Sequence, residues 1–100
     1  MNLSDRARRD LDEIYDYLVR VADPRTARRF IAKLNLHLER IAHTGHSGAP
    51  RNDVRPGLRL AVHGRYNIYF RVTASETIII RVLHSARDVC RLQFDDNDKP

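Results

Sequence analysis

Apolar residues recur at helical spacing through the first forty positions and then switch to strict alternation. Ala7, Leu11, Ile14, Tyr15, Leu18 and Val19 repeat with the 3.6-residue period of one helix face. Ser4 stands just before them with a hydroxyl suited to N-capping, so the pattern predicts a helix from Asp5 to Val21. Asp23 followed by Pro24 is a restart signal, because a capping carboxylate precedes a residue whose missing N–H has no partner to lose in a first turn. A second helix is predicted from Pro24 to about His43. Its apolar stripe is Ala27, Phe30, Ile31, Leu34, Leu38, Ile41 and Ala42, with Arg25, Arg28, Arg29, Lys33 and Arg40 lying off it. The two stripes should close on each other as a helical hairpin.

Between Thr44 and Gly57 the density of Gly, Pro, Asn and Asp predicts an irregular connection. Beyond it the period becomes two. Leu58, Leu60 and Val62 alternate with Arg59, Ala61 and His63; Tyr66, Ile68, Phe70 and Val72 alternate with Asn67, Tyr69 and Arg71; a third run spans Thr77 to Leu83. Directly opposed residues of an antiparallel pair share a face. If every Leu, Ile and Phe set belongs to one core, the turn at Gly64 must have three or five residues, opposing Val62 to Tyr66, Leu60 to Ile68 and Leu58 to Phe70. A turn at Thr73, Ala74 and Ser75 would likewise oppose Phe70 to Ile78 and Ile68 to Ile80. The reverse face would then carry Arg59, Tyr69, Arg71, Ile79, Arg81 and Leu83, a mixed cationic and apolar surface and the candidate partner-binding site. The alternative is a plainly solvated face whose arginines lie along neighbouring side chains; Ile79 and Leu83 favour a surface that something covers. Met1 to Leu3 adds a short possible strand. The expected fold is therefore α+β in two layers, β-α-α-β-β-β, with the hairpin of residues 4–43 packed on an antiparallel sheet of three to four strands, three of them within 58–84 and the possible fourth at 1–3. Ser85 to Phe94 has the composition of a short helix, and residues 95–100 read as a polar, mobile tail.

One hundred residues support one domain with one core. No apolar run approaches a membrane span, and arginines from Arg6 onward interrupt anything resembling a leader, so the default location is the cytoplasm. Cys90 is the lone cysteine, which excludes an intramolecular disulfide and a paired-cysteine zinc site. His43 and His46, with His37 nearby, have no cysteine or carboxylate at a supporting spacing within the connecting loop, so neither metal nor cofactor is expected. The net charge is +5, and of eighteen basic residues only Lys33 and Lys99 are lysines. Arginine on this scale predicts an acidic partner, nucleic acid or protein. The basic face of the second helix is open to either a nucleic-acid role or plain solvation.

The blocks L-S-D-R-A-R-R-D-L-D-E-I-Y-D-Y-L, Phe30-Ile31, G-L-R, G-R-Y-N-I-Y-F-R-V and I-I-I-R-V-L-H-S-A-R-D, in this order over nearly the whole chain, resemble ParE-type toxins of the RelE/ParE superfamily of type II toxin–antitoxin modules. The resemblance implies a helical hairpin on an antiparallel sheet whose first strand precedes the first helix; here that strand is shorter than the pattern. It also implies a hetero-oligomer with a cognate acidic, ParD-like antitoxin. ParE-type toxins poison DNA gyrase, whereas RelE-type toxins cut ribosome-bound messenger RNA.

These outcomes differ chemically. Metal-free RNA cleavage requires a base for the 2′-hydroxyl, an acid for the leaving oxygen and cations for the phosphorane. His84, Arg81 and Arg87 would be the catalytic set, with Arg59 and Arg71 as further cations. Ser85 stands where RelE-type enzymes often carry tyrosine, and no lysine falls in the strand region. His84 also has a structural reading, packed at a strand end near Asp88. With the nuclease set incomplete, no catalytic residue is assigned, and the leading expectation is inhibition of gyrase by binding. The alternatives are a ribosome-dependent nuclease and a non-toxic remnant that keeps only antitoxin binding.

Overall fold

The computed structural model describes residues 2–44 and 49–87. In chain order the elements are β1 (Asn2–Leu3), α1 (Asp5–Val21), α2 (Pro24–Thr44), β2 (Ala49–Pro50), β3 (Arg59–His63), β4 (Tyr66–Val72) and β5 (Thr77–His84). Both helices begin where the capping chemistry puts them. Ser4 Oγ accepts the Ala7 N–H at 3.0 Å, and Asp23 Oδ1 accepts the Thr26 N–H at 2.7 Å, each satisfying a donor that the first turn leaves free. The Thr26 backbone and hydroxyl donors hold the Asp23 carboxyl below its ordinary value. Ser4 also joins the layers: its N–H donates to the Ile79 carbonyl at 2.9 Å and its hydroxyl to the Ile80 carbonyl at 2.7 Å.

The sheet has five strands in the order β1-β5-β4-β3-β2. β1 runs parallel to β5 and the other neighbours are antiparallel, so the sheet is mixed, with two strands more than the alternation makes visible. β2 has two residues, one of them proline, and leaves no periodic signal.

The register departs from the sequence expectation. The turn between β3 and β4 contains two residues, Gly64 and Arg65, so His63 faces Tyr66, Ala61 faces Ile68 and Arg59 faces Phe70. Gly64 has φ +58° while Arg65 keeps a negative φ, the pattern of a II′ turn with glycine at its first central position, which matches strand twist. Ala61 and not Leu60 thus enters the core under the helices, and Val62 is 59% exposed. The turn from β4 to β5 spans 73–76, with Val72 opposite Thr77 and Phe70 opposite Ile79 rather than Ile78. A β-bulge at Tyr69/Phe70 inserts one extra residue on β5, and Ile68 meets Val82 rather than Ile80.

The sheet consequently has two buried faces. Ala7, Ile14, Leu34, Leu38 and Ile41 of the hairpin pack on Ala61, Tyr66, Ile68, Phe70, Ile79 and Val82. On the reverse side Leu58, Tyr69, Ile78, Ile80 and Leu83 form a second cluster, flanked by Val54 and Leu60. The expectation of one apolar face and one open cationic face assigned Leu58, Leu60, Ile78 and Ile80 to the wrong side. Two apolar clusters remove the premise on which the odd-length turns rested.

Candidate partner-binding site

Arg81 is tied into the interior. Its Nε donates to Asp10 Oδ2 at 2.9 Å and its Nη2 to Asp10 Oδ1 at 3.0 Å, with the two residues 1% and 3% exposed. The same Asp10 Oδ2 accepts the Val82 N–H at 2.9 Å. β1 pairs only with Ile78 and Ile79, so the carboxylate takes over as acceptor for the β5 backbone just past the end of that short strand. Asp10 was missed in the sequence, although a signal existed: it stands three residues after Ala7 and four before Ile14, a carboxylate on the apolar stripe of the helix.

The six residues expected to share one open face do not share it. Tyr69 and Leu83 are each 1% exposed in the reverse cluster. Ile79 lies in the core beneath the hairpin, and Arg81 is sequestered by Asp10. Arg59 and Arg71 are half-buried. Pairing puts Arg59 on the face of Phe70 and Arg71 on the face of Ile78, that is, on opposite sides of the sheet. The bulge and the two-residue turn separate what simple alternation had gathered.

A different constellation forms where β5 ends. His84 Nδ1 accepts the N–H groups of Ala86 at 3.2 Å and Arg87 at 2.9 Å, and its ring stands edge-on to Tyr66 with centroids 5.2 Å apart. The Arg87 guanidinium carbon sits 4.1 Å from the Tyr17 ring centroid, and its Nη2 lies 3.5 Å from the Tyr66 hydroxyl. Arg87 forms part of a groove of about 600 Å³ with Asp10, Glu13, Asp16, Tyr17 and Arg20. Of the nuclease candidates Arg81, His84 and Arg87, the Arg81 guanidinium is thus held by Asp10 and His84 Nδ1 by two backbone N–H groups. Two backbone N–H groups on Nδ1 fix the proton of the neutral imidazole on Nε2. Asp88, the carboxylate expected near His84, lies outside the described residues, as do Cys90, the residues of the expected short helix after Arg87, and the 95–100 tail.

His37 on α2 and His63 at the end of β3 approach with their Nδ1 atoms 2.9 Å apart. The His63 ring also stands edge-on to Phe30. Burial lowers the affinity of both rings for a proton; for His37 the facing His63 and Arg40 add to the effect, and for His63 Arg40 and Lys33 do. Among the described residues no group of three or more potential metal ligands is present, and no helix is long and apolar enough to cross a membrane.

The family described as "ParE toxin of type II toxin-antitoxin system, parDE" matches residues 1–89 of the chain. Toxin ParE1 of Mycobacterium tuberculosis is 32% identical over 90 residues, covering 89% of this chain and 92% of that toxin. Toxin ParE1 of Caulobacter vibrioides is 33% identical over 84 residues, covering 84% of this chain and 86% of its own length. The solved chromosomal ParDE TA system from P. aeruginosa superposes with a TM-score of 0.73 at 26% identity, over 84% of this chain and 95% of that one. Sequence blocks, element order and these likenesses agree: the chain belongs to the ParE toxin family of type II toxin–antitoxin systems.

Proposed function

We propose that this toxin acts in the cytoplasm by docking on DNA gyrase, with no covalent chemistry from its own side chains, and that an acidic ParD-like antitoxin neutralises it. The observation that carries the reading is the commitment of Arg81 and His84 to the fold. A guanidinium already bound to Asp10 at 2.9 and 3.0 Å offers no charge to a phosphorane, and withdrawing it would leave a buried carboxylate unpaired. Nδ1 of His84, already holding two N–H groups, is not available to the 2′-hydroxyl as a base.

Supercoiling by purified gyrase in the presence of the toxin tests the target. Inhibition with accumulation of cleaved DNA is expected, retained in His84→Ala; unaffected supercoiling at excess toxin refutes it. Codon-dependent cuts in the message on translating ribosomes, abolished by His84→Ala, would establish the nuclease instead. Harmless expression in a bacterial host without the antitoxin would identify a remnant.

For the antitoxin, Arg59 and Arg71 remain the proposed contacts of the original six. They lie on opposite faces of the sheet, so a chain touching both has to pass around an edge. Extended acidic segments bind this way, combining strand addition with an apolar groove. Arg59→Ala and Arg71→Ala should each weaken the complex, with the modest salt sensitivity of an interface dominated by burial.

A further inference from the structure

The two helices of the hairpin treat charge differently. α1 interleaves both signs, with Asp5, Asp10, Asp12, Glu13 and Asp16 among Arg6, Arg8, Arg9 and Arg20. α2 carries Arg25, Arg28, Arg29 and Lys33 before its first carboxylate, Glu39. All four cations are exposed, and among the described residues none of the four is within salt-bridge distance of a carboxylate. Asp23, the carboxylate at this end of the helix, has both oxygens engaged by Thr26. Ala27, Leu34, Leu38 and Ile41 are the buried residues of α2. At 100° per residue, Arg25 and Arg29 project from the side away from them, with Arg28 on one flank and Lys33 on the other, the flank nearer His63.

Placing three arginines in the opening turns, at the positive end of the helix dipole, works against the helix itself. α1 shows the ordinary solution, with Asp5 in its first turn. A single-sign face with no carboxylate at salt-bridge distance is the footprint of a polyanion. Arg25, Arg29 and Lys33 rise along the axis by about 6 Å per step, a spacing suited to successive phosphates. Between Arg25 and Lys33 the outward face offers no large apolar side chain; Leu36, 58% exposed, lies beyond them. A protein interface would need desolvated anchors there, whereas phosphate neutralisation needs none.

We propose that the outward face of α2, through Arg25, Arg28, Arg29 and Lys33, docks on the sugar-phosphate backbone of duplex DNA. The choice of DNA over other polyanions rests on the gyrase reading, since a toxin acting on that enzyme works beside a bound duplex. The contact carries no base specificity and adds to, rather than replaces, the protein contact.

The test is fluorescence anisotropy of the full chain with a labelled mixed-sequence DNA duplex of twenty base pairs between 50 and 200 mM salt. With about three phosphates neutralised, affinity should fall about 40-fold across that range. The triple variant Arg25→Gln, Arg29→Gln and Lys33→Gln should bind at least tenfold more weakly at 50 mM salt and show a much shallower dependence. Arg8→Gln with Arg9→Gln, which removes cations from α1, should stay within twofold of the parent. A circular-dichroism melt confirms that each variant is folded, and Arg25→Lys with Arg29→Lys, which keeps the charge, should retain binding. Absence of binding at 50 mM salt, full binding by the triple variant, or equal loss in the α1 variant overturns the proposal. Tighter binding of an RNA duplex or of polyglutamate than of DNA overturns it as well. Gyrase inhibition that survives alongside failed DNA binding removes this inference alone and leaves the proposed function standing.

Discussion

The Arg81 guanidinium and the Asp10 carboxylate meet as a bidentate pair at 2.9 and 3.0 Å, seventy-one residues apart in the chain. With exposures of 1% and 3%, neither group can fall back on water if the other is removed. Arg81→Met and Asp10→Ala are each expected to destabilise the protein by about 3–5 kcal/mol. Asp10→Ala also leaves the Val82 N–H without its acceptor, so it should be the more damaging. Urea unfolding of the two variants checks this; losses below about 1 kcal/mol would mean the pair is far less buried than described.

The register of the hairpin gives opposite expectations for neighbouring side chains. Val62, 59% exposed, should tolerate replacement by Ser within about 0.5 kcal/mol. Ile79, fully buried beneath the helices, should lose about 2–5 kcal/mol on Ile79→Ala. Alternation read from the sequence predicts the reverse ranking, so thermal melts of the pair distinguish the two registers.

Gly64 adopts φ +58°, and a Cβ built there meets nothing within 4 Å. Gly64→Ala is therefore a backbone test without a packing component, expected to cost about 1–2 kcal/mol. Gly64→Asn should cost about as much, because the first central position of a II′ turn lies outside the left-handed helical well that asparagine tolerates. Equal melting temperatures for both variants and the parent would argue against the two-residue turn.

The His37–His63 contact makes stability depend on pH. Both rings hold protons less readily in the fold than in the unfolded chain, where the ordinary value is 6.5. The unfolded state therefore binds more protons once the pH drops below about 6.5. Stability should be fully present above that point, decline as pH falls, and level off below the folded values. Arg40 and Lys33 oppose protonation from α2, and Phe30 packs on His63 without a charge. Denaturant midpoints from pH 7.5 to 5 should show the decline in the parent and a smaller one in His37→Gln. An unchanged pH profile in that variant would exclude the pair as the source.

Both helices were legible from the chain, from Asp5 to Val21 and from Pro24 to its last turn, because caps and the 3.6-residue period act between residues no more than four apart. The positions of β3, β4 and β5 were legible within a residue for the same local reason. The II′ turn had a signal too, since glycine followed by Arg65 is its ordinary sequence, but it was outweighed by the premise of a single apolar face.

What the linear order of residues determined is thus the set of elements, their sequence and a family likeness carried by spaced blocks. Tertiary structure alone decided which side each strand residue takes. That choice depends on a bulge, on a carboxylate arriving from α1 and on a second apolar cluster behind the sheet, none of which is a property of neighbouring residues. Arg81 illustrates the difference. Its place in an alternating strand predicted an open cation, and Asp10, lying far away in sequence and close in space, made it a buried one.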